Sequence, residues 1–306
     1  MPPSVPSAPS AQSIDALNAP PALLGESPFW HPSERRLYWC DITGRALHCH
    51  EPASDVHSVW SFDSEPGSCA PLPGGQLLLA LRDGLARFDP SNGKLKLLAK
   101  APYDRTQQRF NDGKADASGA FWVGTIHEPR DAPRASLYRY ADGELERMAG
   151  GVTVSNGLAF SPDGRTMYWS DTTAHTVYVL DADLATGQIG ARRVFARFPD
   201  KLEARQAGER YGGRPDGAAV DAEGCYWVAM YEGARLLRLS PAGELLRDIA
   251  LPVTRPTMPT FGGADLRSLY VTSASAQAGD ASEPLAGCVL HLRCDVPGLP
   301  VHFAHG

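Results

Sequence analysis

No stretch of this 306-residue chain reaches the ~18 consecutive apolar residues of a membrane-spanning helix. Nor does any segment longer than about ten residues carry the 3.6-residue apolar stripe of an amphipathic helix. The first absence excludes a helical membrane protein, and the second argues against an α or α/β fold. Basic clusters interleaved with aromatics are missing too, and the formal net charge is −6, so no nucleic-acid partner is expected. The cysteines, Cys40, Cys49, Cys69, Cys225, Cys288 and Cys294, include no CxxC pair. That speaks against a zinc ribbon or redox motif and for reduced, structural thiols. The first twenty residues hold no Lys or Arg and no apolar signal-peptide core. The expectation is a cytoplasmic protein, a monomer or weak homodimer with no membrane partner.

What the chain does contain is short apolar or alternating runs bounded by Gly, Pro, Asp and Asn, the pattern of an all-β protein. Residues 1–20, rich in Pro, Ser and Ala, read as a flexible tail ahead of a single domain over 21–306. The runs repeat. GESPFW at Glu26, GSCAPL at Cys69, RFNDG at Asn111, VSNGLAF at Asn156, RPDGAAV at Asp216 and TMPTFGG at Thr260 are spaced by 43, 42, 45, 60 and 44 residues. After each comes a turn such as SPDGR or DAEG, then an aromatic strand such as RLYWCD, TMYWSD or CYWVAM, then a third strand. Units of ~40 to 50 residues built from short antiparallel strands are propeller blades, so the expected fold is a six-bladed β-propeller. Either LPVHFA near the end or the segment around Leu23 is expected to complete the last blade. The long fifth step comes from an insertion at 199–212, read as a polar surface loop or a partial lid.

In a propeller the innermost strands line one channel, so equivalent positions in sequence converge in space. Asn-Gly and Asp-Gly alone would signal only turns. With Glu26, Asn111, Asn156 and Asp216 in equivalent slots, they predict carboxylate and amide oxygens around a common centre. Without His or Cys, such a set suits Ca²⁺, Mg²⁺ or Mn²⁺ before zinc. A few protein ligands leave positions open for water and substrate, as a catalytic metal requires.

GESPFW, RFNDGKADASGAFWVGT, VSNGLAFSPDG with MYWSDT, PDGAAVDAEGCYWVA and RPTMPTFGG, in that order, resemble the senescence marker protein/gluconolactonase (regucalcin-like) family of sugar lactonases. The resemblance runs from Glu26 to about Tyr270. It implies a six-bladed propeller holding one divalent cation on Glu26, Asn156 and Asp216, with Ca²⁺ the first choice and Zn²⁺, Mn²⁺, Mg²⁺ or Fe²⁺ the others. It also implies Asp216 as acid/base, and Arg109 and Asn111 as substrate contacts. Glu128, in GTIHEPR, stands one residue from where the family has an acidic substrate contact. The implied activity is hydrolysis of a sugar lactone to an aldonic acid. Two other readings stand beside it: a related propeller esterase or organophosphate hydrolase, and a non-catalytic calcium-binding propeller.

Other residues have plainer expectations. His31 and His127 read as surface or satisfied loop histidines. Trp30, Trp39, Trp122, Trp169 and Trp227 read as packing between blades. Asp163 and Asp221 read as hairpin-turn acceptors, and Asp171 either faces the channel or ends its strand.

Overall fold

Each unit of the repeat pairs its own strands into one antiparallel sheet. The computed structural model describes residues 13–275 and 282–306 and arranges six such sheets in a ring. The inner strands, in blade order, are Gly25–His31, Pro66–Pro71, Gln108–Ala115, Ser155–Phe160, Arg214–Val220 and Pro256–Gly262. The protein is therefore a six-bladed β-propeller, as the spacing predicts. No helix of the described residues is long and apolar enough to cross a membrane.

The core sits between the blades. Among the described residues, each apolar cluster joins two neighbours: Phe29, Tyr38 and Leu79 join blades 1 and 2, and Trp122, Leu158 and Trp169 join blades 3 and 4. Trp30 and Tyr270, stacked with ring centroids 6.1 Å apart, close the ring between blades 1 and 6. All five tryptophans expected at these positions are buried. The six cysteines are unpaired.

Two blades tie their tryptophan to a turn aspartate. Asp116 accepts from the Trp122 indole at 2.7 Å, and Asp221 from the Trp227 indole at 2.8 Å. Asp221 is more than the turn acceptor expected, because its Oδ2 also accepts from Arg238 Nε at 2.8 Å while Oδ1 holds the turn amides of Glu223 and Cys225. Asp221→Ala leaves a buried indole N–H unpaired and removes one of Arg238's two carboxylates. A loss of about 3 kcal/mol is expected. Urea unfolding measures it, and an unchanged midpoint would show that the network is dispensable.

Three local expectations need correction. The stretch 1–20 is not all tail: Asp15–Ala16 pairs with Leu290–Arg293 as the outermost strand of blade 6, while residues 1–12 lie outside the described residues. This two-residue strand, rather than LPVHFA or Leu23, completes the blade. The chain's end instead crosses the channel mouth opposite the slots, with Ala304 N donating to Pro71 O and His305 N to Gly119 O. The insertion at 199–212 is not merely a loop, since it carries the helix Lys201–Ala207. Asp200 caps it in a capping box with Glu203, and Gly208 ends it in the left-handed region. The slots are strand positions, as the channel reading expects. Asn111, Asn156 and Asp216 lie inside strands, at irregularities that recur in every inner strand. The glycines after Asn156 and Asp216 serve close approach: a Cβ on Gly157 would collide with the Tyr226 and Ser170 hydroxyls, and one on Gly217 with Met258.

Candidate functional site

The inner-strand irregularity aims the slot residues. In blade 1 the register shifts between Glu26 and Phe29, in blade 4 between Asn156 and Ala159, in blade 3 between Phe110 and Gly113, and in blade 5 between Pro215 and Ala218. The extra residue of such a bulge breaks the two-residue alternation and re-aims side chains. In blades 2 and 6 the shift falls at Pro66/Ser68 and Pro256/Pro259. Cys69 and Thr260 therefore sit past it and are not the equivalents of Glu26. Both line a different cavity at the other end of the channel.

Aspartates ending two second strands hold the entries to these slots. Asp41 accepts from the amides of Leu23 and Leu24 at 2.9 and 3.0 Å, and Asp171 from those of Thr153 and Val154 at 2.9 and 3.1 Å. Asp171 thus ends its strand as a strut for Asn156.

A cavity of about 110 Å³ opens at this mouth. Glu26, Arg109, Asn111, Asn156 and Asp216 line it together, walled by Leu24, Ile126, Val154 and Tyr231. A hydrogen-bond chain runs through three blades. Arg109 Nη1 donates to Asn111 Oδ1 at 2.7 Å, and Asn111 Nδ2 to Asn156 Oδ1 at 2.8 Å. Asn156 Nδ2 donates to Asp216 Oδ1, and also to Thr172 Oγ1 at 2.8 Å. Thr172 Oγ1 in turn donates to Pro215 O at 2.8 Å, locking the bulge that carries Asp216.

Both carboxylates are buried, each residue 6% exposed. Burial pushes Glu26 well above the ordinary carboxylate range, and the charges of Asp216 and Asp112 push the same way against Arg109. Burial likewise raises Asp216 to about 8, with Asp112 adding to it and Arg214, Arg130 and Arg109 opposing. Asp112 is itself raised by burial, and its Oδ2 accepts from Leu158 N at 2.8 Å. Two buried acids thus stand beside the Asn156 amide, their charges only partly offset by Arg109, Arg130 and Arg214, and each is costly to ionise without a further cation. Glu26, Asp216 and an Asn156 oxygen suit a hard divalent cation. Among the described residues no group of His, Cys, Asp and Glu alone makes such a site, so the amide is essential to this donor set.

Glu128 does not line the cavity. It lies beyond Arg109, with Oε1 3.7 Å from Arg109 Nε, and pairs with Arg82 through both oxygens at 2.8 and 2.9 Å. His127, buried, bonds Asp131 at 2.6 Å, and His31 accepts from Glu34 N at 3.1 Å, so neither histidine belongs to the centre.

Residues beyond the expected set also line the site: Thr172, Thr173, Arg130, Arg214 and Tyr231. Arg130, Thr172 and Arg214 all stand within or beside motifs already singled out: GTIHEPR, MYWSDT and GRPDG. Arg214 Nε is buried without a hydrogen-bond partner, and its guanidinium lies 5.2 Å over the Tyr231 ring. Glu232 takes part of its charge at 3.6 Å while also pairing at 3.0 Å with Lys201 of the inserted helix.

Residues 24–275 match the family model described as SMP-30/Gluconolactonase/LRE-like region. The chain belongs to this family. One member, 6-deoxy-6-sulfogluconolactonase of Pseudomonas putida, is 44% identical over 285 residues, covering 91% of this chain and 94% of that protein. Another, pentonolactonase XacC of Haloferax volcanii, is 33% identical over 287 residues, covering 90% and 93%. Among solved SMP-30/gluconolactonase structures, a calcium-binding protein, regucalcin, from Agrobacterium tumefaciens superposes with a TM-score of 0.88 at 29% identity, covering 96% of this chain and 98% of that one.

Proposed function

We propose that this protein hydrolyses sugar lactones to aldonic acids with one divalent cation held by Glu26, Asn156 and Asp216, and that its preferred lactones carry an anionic group. The lactone chemistry is that of the curated relatives, among them the Pseudomonas and Haloferax lactonases. The observation that carries the cation is the pair of buried, mutually repelling acids Glu26 and Asp216 lining one cavity beside the Asn156 amide. Ca²⁺ leads the choice, in keeping with the oxygen donors and the calcium-binding relative.

When bound, such a cation polarises the lactone carbonyl and stabilises negative charge that develops on its oxygen. The chain's own residues do the rest. Asp216, as carboxylate, takes a proton from the attacking water as the water oxygen bonds to the carbonyl carbon. It returns that proton to the ring oxygen as the ester C–O bond breaks, giving the open hydroxy acid. Asn111 donates both Nδ2 hydrogens, to Asn156 Oδ1 and Ser155 O, and accepts from Arg109, which leaves one lone pair of its Oδ1 for a sugar hydroxyl. Arg109, held by Phe110 O and Asn111, supplies remaining guanidinium donors to the substrate. Leu24, Ile126 and Val154 limit water around the reacting carbon.

Arg109, Arg130 and Arg214 bring more positive charge to this mouth than a neutral sugar requires. Arg130 makes no side-chain hydrogen bond or ion pair among the described residues, and Arg214 Nε is unpaired. Guanidinium pairs of this kind suit sulfonate, phosphate or carboxylate groups. The Pseudomonas relative is named for a 6-sulfo sugar lactone, and that class is proposed here. Hydrolysis of gluconolactone and of 6-deoxy-6-sulfogluconolactone, compared by pH-indicator assay, tests it. Arg214→Met is expected to lower kcat/KM for the sulfonated lactone about tenfold or more beyond any loss on the neutral lactone, which loses only Arg214's charge beside Asp216. Equal losses on both would mean that Arg214 shapes the site without reading charge.

A further inference from the structure

The other end of the channel holds a larger cavity, about 300 Å³, which shares no lining residue with the site. Its walls are mainly apolar, with Phe29, Phe160, Leu184, Met258 and Phe261 among them, and Ser27, Ser161 and Thr260 interspersed. Residues 299–302 of the closing segment run across its mouth, half-buried apart from exposed Pro300.

On this apolar floor stands Lys114. Its ammonium has three donors, and only one is used, to Ala218 O at 2.9 Å. It forms no ion pair among the described residues. The nearby Asp112 instead accepts from Leu158 N through Oδ2, and its Oδ1 is buried without a partner. Burial lowers the Lys114 pKa, with Asp112 only partly opposing, so the charge is poorly compensated where it stands. The imidazole of His302 faces the same chamber and is kept towards its neutral form by burial and by Lys114, against Asp116. A lysine in such surroundings costs desolvation that an oxyanion would recover, while the mainly apolar walls offer hydroxyl groups few partners beyond Ser27, Ser161, Thr260 and His302. A polyhydroxylated sugar acid, the product proposed for the opposite mouth, would leave most of its hydroxyls unpaired here. The volume falls at the lower end of small-molecule sites.

We propose that this chamber is a second binding site, for a small monocarboxylate with a compact apolar body, its carboxylate bonded to Lys114 Nζ. The site is independent of the catalytic mouth and does not rest on the lactonase reading. Benzoate and hexanoate are the probes, titrated calorimetrically into the full chain after chelation, so that no cation at the other mouth contributes. Both should bind, and benzyl alcohol should bind at least about tenfold more weakly because it lacks the charge. Lys114→Met should weaken benzoate by at least about tenfold. Ala117→Trp, at an exposed position on the chamber rim, should block it by filling space. That second variant keeps the test decisive if Lys114→Met fails to fold. The proposal is overturned if neither acid binds at millimolar concentration, or if affinity is unchanged in both variants. Displacement of benzoate by gluconate would also overturn it, since it would move the bound acid to the polar mouth.

Discussion

Asp216→Asn should lower lactone turnover by about 10³-fold or more while the protein keeps its fold. The substitution is nearly isosteric and retains an oxygen that can accept from Asn156, so the chain from Arg109 through Asn111 and Asn156 stays intact. What goes is the charge opposite Glu26 and the group proposed to shuttle the proton. Because Asp216 raises the Glu26 pKa, its removal should also let Glu26 ionise more readily. Cation affinity should fall in the same variant, read by calorimetry with Ca²⁺. Rates like those of the unaltered protein would remove Asp216 from both roles, and lost turnover with full cation affinity would leave it only as the base.

Stripping the cation should bring hydrolysis to the uncatalysed level, and re-supply should restore it, Ca²⁺ being the first candidate. The same experiment has a stability readout with a definite sign. Asp216 is raised from an ordinary 3.8 to about 8 in the cation-free fold. The stability it contributes there is complete below the ordinary value and is lost as pH rises through about 8. Glu26 is raised in the same direction. The melting temperature of chelated protein should therefore fall from mildly acidic pH towards pH 8. The stabilisation by added cation should grow over the same interval, because binding displaces protons that are no longer held. Calorimetric scans with and without Ca²⁺ measure both. Stabilisation that is flat with pH would mean that the cation binds away from these acids.

The ring of blades was legible because most blades carry their own punctuation: a tight turn after the inner strand, then an aromatic strand such as RLYWCD, TMYWSD or CYWVAM. Those features are local, and local features are what a sequence displays. The bulges are not local. Whether Thr257 or Thr260 occupies a slot depends on which residue of Pro256–Gly262 pairs with Val271, and proline-rich entries in blades 2 and 6 carry no acid or amide to mark it. Asp112 was hidden for the same reason. Next to Asn111 in a regular strand it would face away, but the bulge lets both reach blade 4, Asn111 to Asn156 and Asp112 to Leu158.

The inserted helix is short, and of its residues only Ala204 is buried, so it carries no apolar stripe. Its written signs were Asp200 with Glu203 three residues on and Gly208 at its end. Asp15–Ala16 closes blade 6 through backbone pairing, which no side-chain pattern announces. Glu128 shows the converse. The motif placed an acid near Arg109, and only the side chain of Arg82 decides that it points to that partner.

The central claim is that Glu26, Asn156 and Asp216 hold one cation. The most direct test is a crystal structure of the protein soaked in Mn²⁺, with anomalous scattering used to locate the ion. A single strong peak bonded to a Glu26 oxygen, an Asp216 oxygen and Asn156 Oδ1, at about 2.0–2.6 Å, is the expected result. A peak elsewhere in the channel, or none with these side chains in place, would contradict it.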